Sequence, residues 1–388
     1  MSASSIDRVP LLDIPRGNAA DHEEIMETIE DIVRSGWFVG GPHVAKLESQ
    51  VCEATGAKHA IGCASGSDAL LLSLMAMDVG PGAEVILPSF TFFATGSAAW
   101  RLGAKPVFVD IDPKTFNMCP DSFERAISKR TKAVIPVHLF GQCAEMDTIL
   151  DIAKAHDIPV VEDAAQALGA KYKGQGAGAI GDVGCFSFYP TKNLGGAGDG
   201  GMLTTNDDQL AERLRLLANH GMKPRYYHSE IGINSRLDAI QAAVLSIKIR
   251  RLNEISEARR ANAARYHRLF QANGLSNLVE LPGESEDCYH VWNQYSIRFK
   301  RHDRDEVRTI LNEKGIGSEV YYPVPLHQQS CFLTLFSDPD SLNETNAAAA
   351  EVLSLPIFPE MTVEEQNAVV DRLVACLMTE NQSYKMAS

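Results

Sequence analysis

Nowhere in the 388 residues do eighteen apolar residues stand together, and the chain does not begin with a basic stretch followed by an apolar one. A membrane span and a secretory leader therefore both lack a signal, and the expected compartment is the cytoplasm. Basic residues are also scarce. Lys plus Arg number 36 against 50 Asp plus Glu, a formal charge of -14. DNA, RNA and anionic membranes need a net basic face to release counterions, so none of them is expected as the main partner. The eight cysteines are scattered, with no C-x-x-C and no Cys/His spacing typical of zinc, so they read as reduced thiols and no metal site is expected. What the chain does have is 45% hydrophobic residues and 22% charged ones, the balance of a globular protein. At this length two domains are more natural than one.

Between residues 59 and 206, short β-branched apolar runs recur with amphipathic stretches between them. They are His59 to Cys63, Val85 to Pro88, Pro106 to Ile111, Ala133 to His138, Pro159 to Glu162 and Val183 to Phe188. Runs apolar throughout, without alternation, predict strands covered on both faces. The fold class is therefore α/β, a layered sandwich around a mostly parallel sheet. From Leu237 to Ala272 there is no proline or glycine, and Asn273-Gly274 supplies a stop, so one or two long helices lead out of this region. Beyond Gly274, strand-like Val291 to Phe299 and Ser318 to Tyr322 mix with helical Asp305 to Lys314 and Val363 to Leu377. The expected division is a large domain with an N-terminal segment over 1–250 and a small α+β domain over 251–388.

Three groups carry chemistry. Lys192 lies just past an apolar strand, in Phe186-Ser-Phe-Tyr-Pro-Thr-Lys-Asn193, before a glycine-rich run. In water only about one lysine in a few thousand is neutral at pH 7, but burial lowers the pKa and opens Schiff-base chemistry. The plainer reading is a solvated loop lysine. Asp163 ends a second apolar run in Glu162-Asp-Ala-Ala-Gln166, where a carboxylate could face a heteroaromatic cation or cap a helix. Ala64-Ser-Gly-Ser-Asp-Ala-Leu70 is a strand, a small-residue turn and a helix start. Such a turn suits a phosphate, and it is equally an ordinary N-cap. Gly196-Ala-Gly-Asp-Gly-Gly201 also satisfies G-x-G-x-x-G. A strand-like run follows it where a dinucleotide site needs a helix, which argues against an NAD enzyme.

Taken together, these groups resemble the fold type I pyridoxal-phosphate enzymes, and within them the DegT-type nucleotide-sugar aminotransferases. The likeness extends through Gly36-Trp-Phe-Val-Gly-Gly-Pro42, Pro88-Ser-Phe-Thr-Phe-Phe-Ala-Thr95, Val109-Asp-Ile-Asp-Pro113, Asn234-Ser-Arg-Leu-Asp238 and Tyr321-Tyr-Pro-Val-Pro-Leu-His327. The order and spacing of these segments make the resemblance specific. It implies a three-layer sandwich with a smaller C-terminal domain and pyridoxal 5'-phosphate as cofactor. Lys192 would hold the cofactor covalently and shuttle a proton, and Asp163 would keep the pyridine nitrogen protonated. Gln166 would lie by the ring and Phe92 would stack on it, while Gly66, Ser67 and Ser187 would bind the phosphate. Asn234 would reach the phosphate in a neighbouring subunit, which implies a homodimer with a shared active site. Arg236, also from the partner chain, and His327 would face the substrate.

The implied reaction moves an amino group from L-glutamate to a keto-sugar on a nucleoside diphosphate, at C3 or C4, for polysaccharide or antibiotic-sugar synthesis. Relatives that dehydrate sugars carry histidine in place of the lysine, and here Lys192 stands. The rival reading is a pyridoxal-phosphate-binding regulatory protein of the same fold without turnover.

Overall fold

The computed structural model describes residues 6–387 except Phe336, Ser337 and Pro339, with the backbone alone at Ser276 and 378–387. The large sheet is built from β1 (His59–Cys63), β2 (Glu84–Pro88), β3 (Lys105–Val109), β4 (Thr131–Val134), β5 (Val161–Asp163), β8 (Val183–Ser187) and β9 (Gly201–Thr205), with a small hairpin, β6 (Lys171–Tyr172) and β7 (Gln175–Gly176), inserted between β5 and β8. Four of these strands run in the order β1-β9-β8-β5 and three in the order β3-β2-β4. Parallel bridges Val134↔Val160 and Val137↔Asp163 join the two groups across β4 and β5. Only β9 runs antiparallel to its neighbours, so the sheet is mostly parallel.

Alternate residues of each strand belong to different cores, as the period of two in a strand requires. Val85, Leu87, Cys185 and Leu203 pack on one face with the helices Gly66–Ala76, Phe93–Arg101 and Asp208–Ala218. Ile86, Phe186 and Met202 pack on the other, with the helices Pro42–Thr55, Met146–Ala155 and Ala239–Lys248. This is the three-layer α/β sandwich, and it explains why the strand runs are apolar throughout. Leu87 is fully buried, and its truncation to Ala would cost about 2–5 kcal/mol.

The long proline-free stretch forms the helices Ala239–Lys248 and Leu252–Ala272, joined by a 3₁₀ turn. Asn273 caps the second, and Gly274 adopts φ +68° just beyond it. A third core gathers Tyr266, Phe270, Ile297, Leu311, Leu353 and Leu373. It covers an antiparallel sheet of β10 (Val279–Glu280), β12 (Tyr295–Phe299) and β13 (Val352–Leu355), while β11 (Cys288–Tyr289) pairs with β6.

Two expected strands differ. The stretch from Val291 becomes regular only at Tyr295, because Trp292 takes φ +48° and breaks the extension. Residues 318–322 form no strand and make a single bridge, Glu319↔Ser354. The G-x-G-x-x-G run feeds directly into β9, not a helix. Among the described residues no helix is long and apolar enough to cross a membrane.

Candidate active site

Four strand ends converge on one region, the carboxyl edge where open α/β sheets bind ligands. β5 ends on Asp163, and β8 ends on Ser187, five residues before Lys192. β1 leads through Ala64-Ser65 into the helix Gly66–Ala76, and β2 leads through Ser89-Phe-Thr-Phe92 into the helix Phe93–Arg101.

Asp163 and Lys192 lie within each other's electrostatic reach. Burial pushes the Lys192 amine down to about 8, with the Asp163 carboxylate opposing the shift. At pH 7 a group of that pKa is neutral about one time in ten, some hundreds of times more often than a free lysine. Asp163 is 5% exposed. Burial pushes its carboxyl pKa up, against hydrogen bonds from Thr95 Oγ1 to Oδ2 at 2.8 Å and from the Ala165 N–H to Oδ1 at 3.3 Å. A partly neutral amine and a hydrogen-bonded acid at one edge are the pair that a heteroaromatic aldehyde requires.

Gln166 is buried nearby. Its Oε1 accepts the Phe140 N–H at 2.7 Å, and its Nε2 reaches the Tyr322 hydroxyl at 3.4 Å. The Phe92 ring, 58% exposed, sits 6.2 Å from that of Tyr322 and offers a free aromatic face.

The anion cradle follows from local sequence. Ser65 caps the helix by accepting the Asp68 N–H at 3.1 Å, so Gly66 and Ser67 open its first turn with N–H groups that have no partner within the helix. Gly66 is obligatory: a Cβ there would stand 2.7 Å from the Ser187 Cβ. The structure thus brings Gly66, Ser67 and Ser187 together beside a helix N-terminus, as a phosphate needs. A buried amine, a buried acid, a free ring face and this cradle together fit pyridoxal phosphate.

Asn234 and Arg236 behave differently. Both are exposed, with the Arg236 guanidinium 3.2 Å from Asn219 Oδ1. Ser235 between them is buried, and its Oγ accepts the Ala64 N–H at 3.1 Å, which fastens this loop to the end of β1. The bridge Val39↔Asp238 brings in exposed Trp37 and Phe38. His327, by contrast, is a buried group. It is 1% exposed, its Nδ1 is 2.6 Å from Ser89 Oγ, and its N–H donates to the same oxygen at 3.1 Å.

Sequence reasoning gave no role to Thr95, Ser235 or Tyr322, although all three stand inside the quoted segments. The available signal was spacing. Thr91 and Thr95 are one helical turn apart, and their hydroxyls meet at 3.1 Å.

The model of the DegT/DnrJ/EryC1/StrS aminotransferase family matches residues 19–374. A pleiotropic regulatory protein of Geobacillus stearothermophilus is 50% identical over 94% of this chain and 97% of its own. A UDP-N-acetyl-3-dehydro-α-D-glucosamine 3-aminotransferase of Acidithiobacillus ferrooxidans is 44% identical over 92% of this chain and 95% of its own. A UDP-2-acetamido-2-deoxy-3-oxo-D-glucuronate aminotransferase of Pseudomonas aeruginosa is 42% identical, over 90% and 95%. Among solved structures, Streptomyces venezuelae DesV in complex with a ketimine intermediate superposes with a TM-score of 0.90 at 40% identity, covering 95% of this chain and 98% of that one. NtdA of Bacillus subtilis, with bound cofactor PMP, gives 0.89 at 32% identity, covering 97% and 87%.

Proposed function

We propose a reaction for this chain from the premise that it belongs to the DegT/DnrJ/EryC1/StrS aminotransferase family and works with pyridoxal phosphate. It takes an amino group from L-glutamate and delivers it to carbon 3 of a keto-sugar carried on a nucleoside diphosphate. The observation that carries this reading is the 44% identity to a 3-aminotransferase over 92% of the chain. A second relative, 42% identical, is also named for a 3-oxo sugar. Such an enzyme works in the cytoplasm, where nucleotide sugars and glutamate are available.

When bound, pyridoxal phosphate supplies an aldehyde that takes up amino groups and a ring that draws electrons from the attached carbon. The chain's own residues do the rest. Lys192 holds the cofactor through Nζ and, once released by substrate, moves a proton at that atom. Asp163 accepts the hydrogen of the ring N–H. Phe92 covers one ring face and Gln166 stands at its edge, while Gly66, Ser67 and Ser187 hold the phosphate. Glutamate and the sugar use the same site in turn, one leaving its nitrogen before the other collects it.

Asn234 and Arg236 act in a second copy of the chain, so the working unit is a homodimer. Exposed Trp37, Phe38, Tyr226, Tyr227 and Ile231 border their loop, an apolar surface of the kind that a partner covers. Arg236 suits a pyrophosphate or a sugar carboxylate. His327, buried against Ser89, contributes by holding the Ser89–Phe92 turn under the substrate.

Incubating the protein with glutamate and a panel of UDP-, dTDP- and GDP-linked 3- and 4-keto sugars tests the reading. Amination of 3-keto sugars is expected. Amination of 4-keto sugars alone would overturn the carbon-3 assignment. A second reading, a cofactor-binding regulator without turnover, is favoured by the regulatory name of the 50% identical relative. Glutamate alone separates the two, since a transaminase converts its bound cofactor to the pyridoxamine form and changes its visible absorbance.

A further inference from the structure

The carboxylate of Asp163 is supported from behind by two threonines that the function above does not use. We propose that Thr91 and Thr95 form a polarised hydroxyl chain that keeps Asp163 anionic opposite the cofactor's ring nitrogen, so that the proton of that contact stays on the ring. The proposal rests on Asp163 being the ring nitrogen's partner.

The direction of the chain follows from donor chemistry. An ionised carboxylate can only accept, so Thr95 Oγ1 donates its hydrogen to Asp163 Oδ2 at 2.8 Å. Thr95 then meets Thr91 Oγ1, 3.1 Å away, with a lone pair, so Thr91 donates. Both threonines are buried, Thr95 completely, so bulk water does not compete for either hydroxyl. Hydrogen bonds in series polarise one another and strengthen the last, charge-assisted one. The placement is local, because Thr91 lies in the turn after β2 and Thr95 lies in the first turn of the helix Phe93–Arg101.

Without this chain the balance at Asp163 shifts. Burial pushes its carboxyl pKa up, and the bond from Thr95 is the first of the influences opposing that. The Ala165 N–H holds the other oxygen at 3.3 Å. Lys192 and His138 face the carboxylate with their own groups, and the Cys185 thiol and Tyr322 phenol lie in its field. None of these replaces a hydroxyl aimed at Oδ2. A carboxylate that loses such a donor becomes a stronger base and takes the ring proton for itself. The electron sink weakens although every group touching the cofactor is still present.

The test uses holoenzyme loaded with pyridoxal phosphate labelled with ¹⁵N in the ring, whose resonance separates the protonated from the neutral ring. Wild type should hold the proton across neutral pH. Thr95→Val should lower the ratio of protonated to neutral ring by about ten- to a hundredfold. Thr95→Ser should restore it, and Thr91→Val should move it less and in the same direction. Asp163→Asn is the reference, expected to lose the ring proton throughout. A Thr95→Val ratio equal to wild type, with Asp163→Asn neutral, would overturn the threonine chain and leave the Asp163 assignment intact. A ring still protonated in Asp163→Asn would overturn both. Should Thr95→Val fail to retain cofactor, Thr91→Val decides, since an unchanged ratio there removes the chain.

Discussion

Asp163 is almost completely buried and bonded on both carboxylate oxygens, whereas Arg236 is exposed on a surface loop with its guanidinium against Asn219. The difference separates two kinds of construction. At the cofactor end, strand termini set each group: β5 delivers Asp163, β8 delivers Ser187 and the lysine loop, and β1 delivers Gly66. Burial there does chemical work, since it brings the Lys192 amine to about 8. At the rim, the groups hang on an exposed loop. The groups at the cofactor end are therefore placed by strand ends, while those at the rim are placed by an exposed loop.

The sharpest way to break this comparison is at Lys192. Lys192→Ala should lower turnover by about 10⁴-fold or more and abolish borohydride-trapped cofactor, with circular dichroism unchanged. Covalent trapping that persists in this variant would place the reactive amine elsewhere. Asp163→Asn should cost about 10²- to 10⁴-fold in kcat, because the fold stays intact while the partner of the ring nitrogen becomes neutral. If its kcat matched wild type, the acid at the end of β5 would have no part in the chemistry.

The rim predicts a smaller loss of a different kind. Arg236→Ala should raise the KM for the nucleotide sugar by about 10- to 100-fold, with kcat for the glutamate half reaction held, since one charge-assisted contact is removed. Mixing Arg236→Ala with Lys192→Ala should then restore about a quarter of wild-type activity, since half of a random dimer population is mixed and each mixed dimer has one undamaged site. Confirmed mixed dimers without activity would show that Arg236 serves its own subunit's site.

The same contrast governs what was legible in the sequence. Buried parallel strands advertise themselves as apolar runs, so β1 to β5 and β8 were located to within a few residues, and their ends located Asp163, Ser187 and Gly66. Thr95 carried no such mark, because its role lies in a hydrogen bond to a residue 68 positions away. His327 was readable as a motif but not as a buried group, since packing against Ser89 depends on how the 321–327 segment returns over β2. Trp292 shows the limit from the other side. Its neighbours have strand propensity, yet the backbone at that residue is left-handed.

The smallest effect sharpens the comparison most directly, because it reads the burial of Lys192 as a rate. Capture of the cofactor's aldehyde needs the neutral amine. With a pKa of about 8, the capture rate should climb about tenfold per pH unit below that value and level off above it. A solvated lysine would keep climbing to about 10.5. Stopped-flow absorbance of cofactor-free protein mixed with pyridoxal phosphate measures the break. In Asp163→Asn the break should move below 8, because the carboxylate is what opposes desolvation of the amine. A break that stayed in place would mean that burial alone sets the amine and that the two groups, though they share one edge of the sheet, do not act on each other.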